Sequence, residues 1–180
     1  MDASREKYRR LFFALWPHEA ERAALAAWQP SLQQRCGGKT MRPDTLHCTL
    51  VFLGAVPEHR LEALCRAARE AAFREFTLTL AAAHYWGHNH IVYAAPSTLA
   101  TAHAALVQAL EQALRKHRFH FEARPYRAHV TLLRHAQWND TPLPPLPAVR
   151  WRVADFALVQ SLPDGQGARY EVLCRFNAQG

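Results

Sequence analysis

Two short runs, His47-Cys48-Thr49-Leu50 and His129-Val130-Thr131-Leu132, decide how this chain is read. Each is a histidine, a variable residue, a threonine and an apolar residue, and 82 positions separate them in a chain of 180. A single match to so short a pattern would be noise. Two matches, each inside a longer similar frame (Leu46 to Phe52 and Ala128 to Arg134), point to an internal duplication in which each half supplies the same polar pair.

The alternation gives the pairs a physical meaning. Runs rich in Val, Leu, Thr and Phe read as strands, where side chains two apart project from one face. His47 and Thr49 therefore point one way and Cys48 and Leu50 the other, into a core; His129 and Thr131 oppose Val130 and Leu132 in the same manner. If the two strands face each other across a cleft, two imidazoles and two hydroxyls converge on one small volume. That set suits a tetrahedral anion better than a metal, since hydrolysing a phosphate ester needs an acid and a base on opposite sides.

Composition bounds the rest. At 180 residues and 49% hydrophobic content the chain forms one domain, residues 1–180, built as two lobes on a shared core. No apolar run approaches the ~20 residues that span a bilayer, and the charged start, Met1 to Lys7, lacks a signal-peptide pattern. A cytoplasmic protein with no membrane partner is expected, and nothing requires more than a monomer. Cys36, Cys48, Cys65 and Cys174 are scattered without a CxxC pair, so they are expected as free thiols, with no metal site and no cofactor. The net charge of +7, with 19 Arg among the 22 basic residues, predicts attraction to a polyanion; many small proteins are merely basic, and charge supports RNA only beside the histidine pairs.

In order, Leu11 to Trp16 reads as a strand, with Pro17 opening a helix through the stretch around Ala20 to Trp28 that Pro30 should kink or divide and Gly37-Gly38 ends. Lys39 to Thr45 is a loop leading into the first motif strand, Leu46 to Leu53, which Gly54 closes. Pro57 and Glu58 open a helix whose apolar face is Leu61, Leu64, Cys65, Ala68 and Ala72. Phe76, Leu78 and Leu80 alternate as a strand, and a turn over Trp86 to Asn89 leads to its partner, Ile91 to Ala95. Ser97 caps a helix through His117, with Leu99, Leu106, Leu110 and Leu114 inward. Phe119 to Ala123 reads as a short strand, Ala128 to Arg134 as the second motif strand, and Gln137 to Pro147, with four prolines, as a loop. Val149 to Gln160 is extended, Pro163 to Gly167 is a hairpin turn, and Tyr170, Val172, Cys174 and Phe176 alternate on the last strand.

The paired HxTx motifs, Arg10 to Leu15, Leu46 to Gly54, Tyr126 to Arg134 and the closing Gly167 to Val172 together resemble the 2H phosphoesterases. Within them, the chain is similar to the RNA 2',3'-cyclic phosphodiesterases, historically named 2'-5' RNA ligases. The resemblance covers nearly the whole chain. It implies a bilobal α+β, LigT-like fold, with antiparallel sheets related by a pseudo-twofold lining a central cleft and helices outside. It also implies metal-independent hydrolysis of a 2',3'-cyclic phosphate at an RNA end to a 2'-phosphomonoester. By the same resemblance His47 is the proton donor, His129 the proton acceptor, and Thr49 and Thr131 bind the phosphate. The chain departs at Ala128, where the family commonly has Pro before the second histidine.

Side-chain chemistry agrees with those roles. Water attacks phosphorus in line with the departing 3'-oxygen; His129 takes the water's proton and His47 gives one to the leaving oxygen. An ordinary imidazole pKa of ~6.5 suits both tasks. Run backwards, the site joins a cyclic phosphate end to a 5'-hydroxyl, a side reaction in ~55 M water. Phe52 and Arg134, each five residues after its histidine, are candidates to clamp a nucleobase, although an odd offset puts them on the far face of an ideal strand and requires a bulge. Against that stands Phe52 as core and Arg134 as a rim charge. Arg127, Lys39, Arg42 and Arg124 are further substrate-binding candidates at the rim. The nine other histidines are set aside, including His84, His88 and His90, which lack acidic or cysteine partners at metal spacing. The rival readings are a 2H phosphodiesterase for another substrate, such as 2'-5' oligoadenylate, a nucleotide cyclic phosphate or a uridine-tailed RNA end, and a non-catalytic RNA-binding module.

Overall fold

The computed structural model describes residues 5–139 and 141–180. The chain begins with β1 (Tyr8–Leu15), α1 (Glu19–Ala26), α2 (Gln29–Cys36), β2 (Lys39–Thr40), β3 (Cys48–Pro57) and α3 (Leu61–Arg69). It continues with β4 (Phe76–Leu80), β5 (Ala82–Trp86), β6 (Ile91–Ala95), α4 (Thr101–Lys116), β7 (Val130–Arg134), β8 (Val149–Val153), β9 (Asp155–Asp164) and β10 (Gly167–Asn177). The fold is α+β. The main sheet runs β10-β9-β1-β3-β7-β6-β5, with β2 also paired to β7, and each of its ladders is antiparallel.

The two motif strands join the halves of this sheet. β3 and β7 pair only at Cys48↔Val130, the residue inside each motif. On one side stand β10, β9 and β1 behind β3; on the other, β6 and β5 behind β7. β1 is buried on both faces from Leu11 to Leu15, as a central strand must be. Leu11, Phe13 and Leu15 enter the large core, where α3 and α4 pack, while Phe12, Ala14 and Trp16 join a smaller cluster with Ala157 and Val159.

Several expectations change. Phe76–Leu80 pairs with β8 and not with Ile91–Ala95, whose partner is Ala82–Trp86 across a turn. That strand is mostly exposed or half-buried, so its alanines gave no apolar alternation to read. Val149 to Gln160 breaks at Ala154 into two strands of different sheets. Phe119 to Ala123 forms no strand and is tied to the sheet by the Glu122 amide donating to the Phe52 carbonyl at 2.9 Å. Gly54 does not end its strand; at φ +75° it continues toward Pro57. Lys39-Thr40, read as loop, pairs with Arg134 and Leu133. Pro30 is at the start of α2, where its missing N–H costs nothing, and the division falls at Ala27-Trp28. α1 begins at Glu19, α3 follows a short turn over Glu58–Arg60, and Ala100 rather than Ser97 precedes α4, which leaves Leu99 exposed.

Candidate active site

The fourth residue of each motif shapes the site. Between β1 and β3 the register passes from Ala14↔Thr49 to Phe13↔Val51, so Leu50 is an extra residue. Between β6 and β7 it passes from Tyr93↔Thr131 to Val92↔Leu133, so Leu132 is extra in the same way. Each leucine is buried. An extra residue reverses the parity beyond it, which returns Phe52 to the face of Thr49 and Arg134 to that of Thr131.

Antiparallel pairing at Cys48↔Val130 sets His47 across from Thr131 and Thr49 across from His129, with the imidazoles on a diagonal. His47, Thr49, His129 and Thr131 line a cavity of about 370 Å³ that Phe52 and Arg134 also reach. Arg10, Phe12 and Tyr170 are also part of its wall, and motif spacing gave no sign of them. Arg10 holds its guanidinium 4.8 Å from the Phe52 ring centre, so the cation that covers this ring comes from β1. No carboxylate is among the lining residues.

Both imidazoles are oriented by one device. Nδ1 of His47 lies 2.7 Å from the Thr45 carbonyl, and Nδ1 of His129 lies 2.8 Å from the Arg127 carbonyl, each two residues upstream. A carbonyl only accepts, so each Nδ1 carries the proton and Nε2 is left to exchange one. His47 stacks on Trp16 (5.4 Å, 16°) and touches Phe12 and Tyr170 at 5.0 and 5.1 Å. Burial pushes it down to about 4 from an ordinary 6.5, with the Thr45 bond opposing and the charges of His129 and Arg134 adding. Burial also lowers His129, against the pull of the Arg127 carbonyl; its neighbours are Trp86 at 4.7 Å and Tyr93 at 5.8 Å. Both rings are thus neutral at rest near pH 7.

Behind the motifs, Tyr126 donates its hydroxyl proton to the Thr49 carbonyl at 3.0 Å. The same oxygen is 2.8 Å from Nε2 of His103 on α4. Because the hydroxyl proton is engaged, Nε2–H of His103 donates, and its Nδ1 is left bare without a partner. His103 is fully buried against Phe76, and burial pushes it down to about 4. Helical spacing put His103 on a helix face but could not show what that face meets.

The remaining candidates are placed apart from the cavity. Arg127 lines a second hollow with Trp86 and Tyr93. Arg42 bonds Asp164 and the Ala168 carbonyl, and Arg124 pairs with Glu122. Lys39 lines a hollow adjoining the cavity, with Arg134 shared between the two. No group of three His, Cys, Asp or Glu able to hold a metal occurs among the described residues.

A sheet bridged at two HxTx strands, with one polar pair from each side, is the architecture of a phosphoesterase, and comparison with known proteins agrees. Residues 15–93 match the family described as LigT like Phosphoesterase. The chain belongs to these LigT-like 2H phosphoesterases. It is 32% identical over 187 residues to the RNA 2',3'-cyclic phosphodiesterase of Thermus thermophilus, covering 95% of this chain and 91% of the relative. It is also 32% identical over 170 residues to the Escherichia coli enzyme of the same name, covering 93% and 95%. The crystal structure of E. coli LigT complexed with 3'-AMP superposes with a TM-score of 0.85 at 27% identity, over 97% of this chain and 100% of that one.

Proposed function

We propose that this protein is an RNA 2',3'-cyclic phosphodiesterase, opening the terminal cyclic phosphate of RNA to a 2'-phosphomonoester by histidine acid–base catalysis. The observation that carries the reading is the matched orientation of His47 and His129, each with Nδ1 tied to a carbonyl and its motif threonine beside the other imidazole. Thr49 and Thr131 donate to the non-bridging oxygens and hold phosphorus on the diagonal. His129 takes the proton of the attacking water through Nε2, and His47 protonates the departing 3'-oxygen. The phosphodiester's negative charge favours the His47 imidazolium, which burial alone disfavours. Arg134 and Arg10, with a net charge of +7 behind them, attract the polyanion.

Metal-independence has support in the donor set: the cavity offers hydroxyls, guanidinium groups and two imidazoles already bonded at Nδ1, with no carboxylate. We place the enzyme in the cytoplasm as a monomer; no described helix is long and apolar enough to cross a membrane, and all four cysteines are free. The test is incubation with a nucleoside 2',3'-cyclic phosphate in EDTA. The expected product is the 2'-phosphate alone; accumulation of the 3'-isomer, or loss of turnover on chelation, would refute the assignment.

A further inference from the structure

The two histidines differ in what surrounds them. Around His47 the rings close, with Phe12 and Trp16 only 4% and 6% exposed. Around His129 they open outward into the second hollow, of about 270 Å³, whose lining includes His84, Trp86, Tyr93, Leu99 and Arg127 and no carboxylate. Register fixes its position. Thr131 pairs with Tyr93, and Tyr93 pairs with His84. Paired residues share a face, so Thr131, Tyr93 and His84 form a row leading outward from the phosphate site across β7, β6 and β5. His84 lies over Tyr93 at 5.5 Å and 27°, and Trp86 packs on Tyr93 at 4.0 Å while its ring meets His129 at 4.7 Å. The His129 imidazole therefore sits between the two hollows.

We propose that this second hollow is the subsite for a second nucleoside, the one whose 5'-oxygen occupies the place of the attacking water. The inference rests on the proposed function, because it takes the His129 side of phosphorus as the side from which the nucleophile arrives. A row of half-exposed rings is a stacking platform for a base. The exposed Arg127 guanidinium supplies a cation for the phosphate that follows on the acceptor strand. The hollow is small enough to take one nucleoside and not a folded RNA.

With the subsite filled, the 5'-hydroxyl oxygen attacks phosphorus and its proton passes to Nε2 of His129. The new P–O5' bond forms as the P–O3' bond breaks, and His47 gives its proton to O3'. The product is a 2'-5' phosphodiester with a free 3'-hydroxyl, and no further reactant is needed. Occupancy of this hollow thereby sets the partition between water and a nucleoside.

The test uses cytidine 2',3'-cyclic phosphate as donor and adenylyl-3',5'-adenosine with a free 5'-hydroxyl as acceptor, with cytidine 2'-phosphate and the 2'-5'-linked trinucleotide separated by chromatography. The trinucleotide is expected to rise hyperbolically with acceptor. His84→Ala and Arg127→Ala should each raise the half-saturating acceptor concentration at least fivefold, Arg127→Lys less. Both side chains are exposed, and thermal melts will verify that the variants fold. A strictly linear rise, absence of trinucleotide, or an unchanged half-saturation in both alanine variants would overturn the subsite while cytidine 2'-phosphate formation leaves the hydrolase reading standing. Failure of the wild-type protein to form cytidine 2'-phosphate would overturn both.

Discussion

The hydroxyl of Tyr126 donates to the carbonyl of Thr49 across 3.0 Å, so the segment that delivers His129 is fastened to the strand that carries the other motif. Tyr126→Phe keeps the ring and removes this tie, leaving the Thr49 carbonyl and Nε2 of His103 without it. The expected cost is about 1–3 kcal/mol of stability together with a lower kcat. Urea titration and steady-state kinetics will measure both, and wild-type values in each would show that the bond positions nothing.

His47→Ala and His129→Ala are expected to reduce turnover by roughly two to four orders of magnitude each, with the fold retained. Groups that act as a unit are not additive, so the double variant should be little worse than either single one. Rates on a nucleoside 2',3'-cyclic phosphate decide this; an additive double variant would argue that the two imidazoles work in separate steps.

The pH–rate profile follows from both imidazoles lying below their ordinary 6.5. In the proposed mechanism the working form has one proton on the pair. Above the higher of the two pKa values there is no donor, and below the lower one there is no acceptor. kcat/KM should therefore be bell-shaped, with its alkaline limb starting below pH 6.5 and falling tenfold per unit. In kcat the limb should move upward, since bound phosphate favours imidazolium. A kcat/KM maximum above pH 7 would contradict the burial of these rings.

Acid stability should report His103. Its folded pKa of about 4 lies below the ordinary 6.5, so the folded state resists protonation that the unfolded chain accepts. The associated stability is full above pH 6.5 and is lost as pH falls toward 4, by about 3 kcal/mol. His47 has the same sign with a smaller effect, because its side chain is partly accessible in the cavity. His103→Gln keeps a donor for Tyr126 and should flatten this slope; an unchanged slope in urea titrations at pH 4.5 and 7 would show that His103 is not its source.

Gly37 and Gly38 offer a controlled comparison. At Gly38, φ is +82° and a Cβ would fall 2.5 Å from the Arg134 carbonyl oxygen and 2.9 Å from Ala136 Cα. At Gly37, φ is +62° and the space is open. At φ +62° and ψ −154°, a region that essentially only glycine occupies, Gly37→Ala should cost about 1–3 kcal/mol from the backbone alone. Gly38→Ala adds a steric clash to its own backbone strain, so it should cost about 1–3 kcal/mol more than Gly37→Ala and displace Arg134, weakening substrate binding. Equal melting temperatures for the two variants would rule out the close approach of β2 to β7.

Local spacing in the chain carried a good deal of this. Alternation placed His47 with Thr49 and His129 with Thr131, and duplication paired the two sets, because side-chain direction in a strand depends only on position within it. Spacing failed where partners intervene. Ala82 to Trp86 lacks an apolar face because it is poorly covered, and Val149 to Gln160 reads as one extended run although its halves join different sheets. Phe52 and Arg134 reach the cavity only because Leu50 and Leu132 bulge, and a bulge is a mismatch with a neighbouring strand, absent from either strand alone. Arg10 and Phe12 in the wall, the low pKa of His47 and the bond between Tyr126 and Thr49 have the same origin. Periodicity is a property of consecutive residues, whereas register, burial and charge proximity arise when residues far apart in the chain become neighbours.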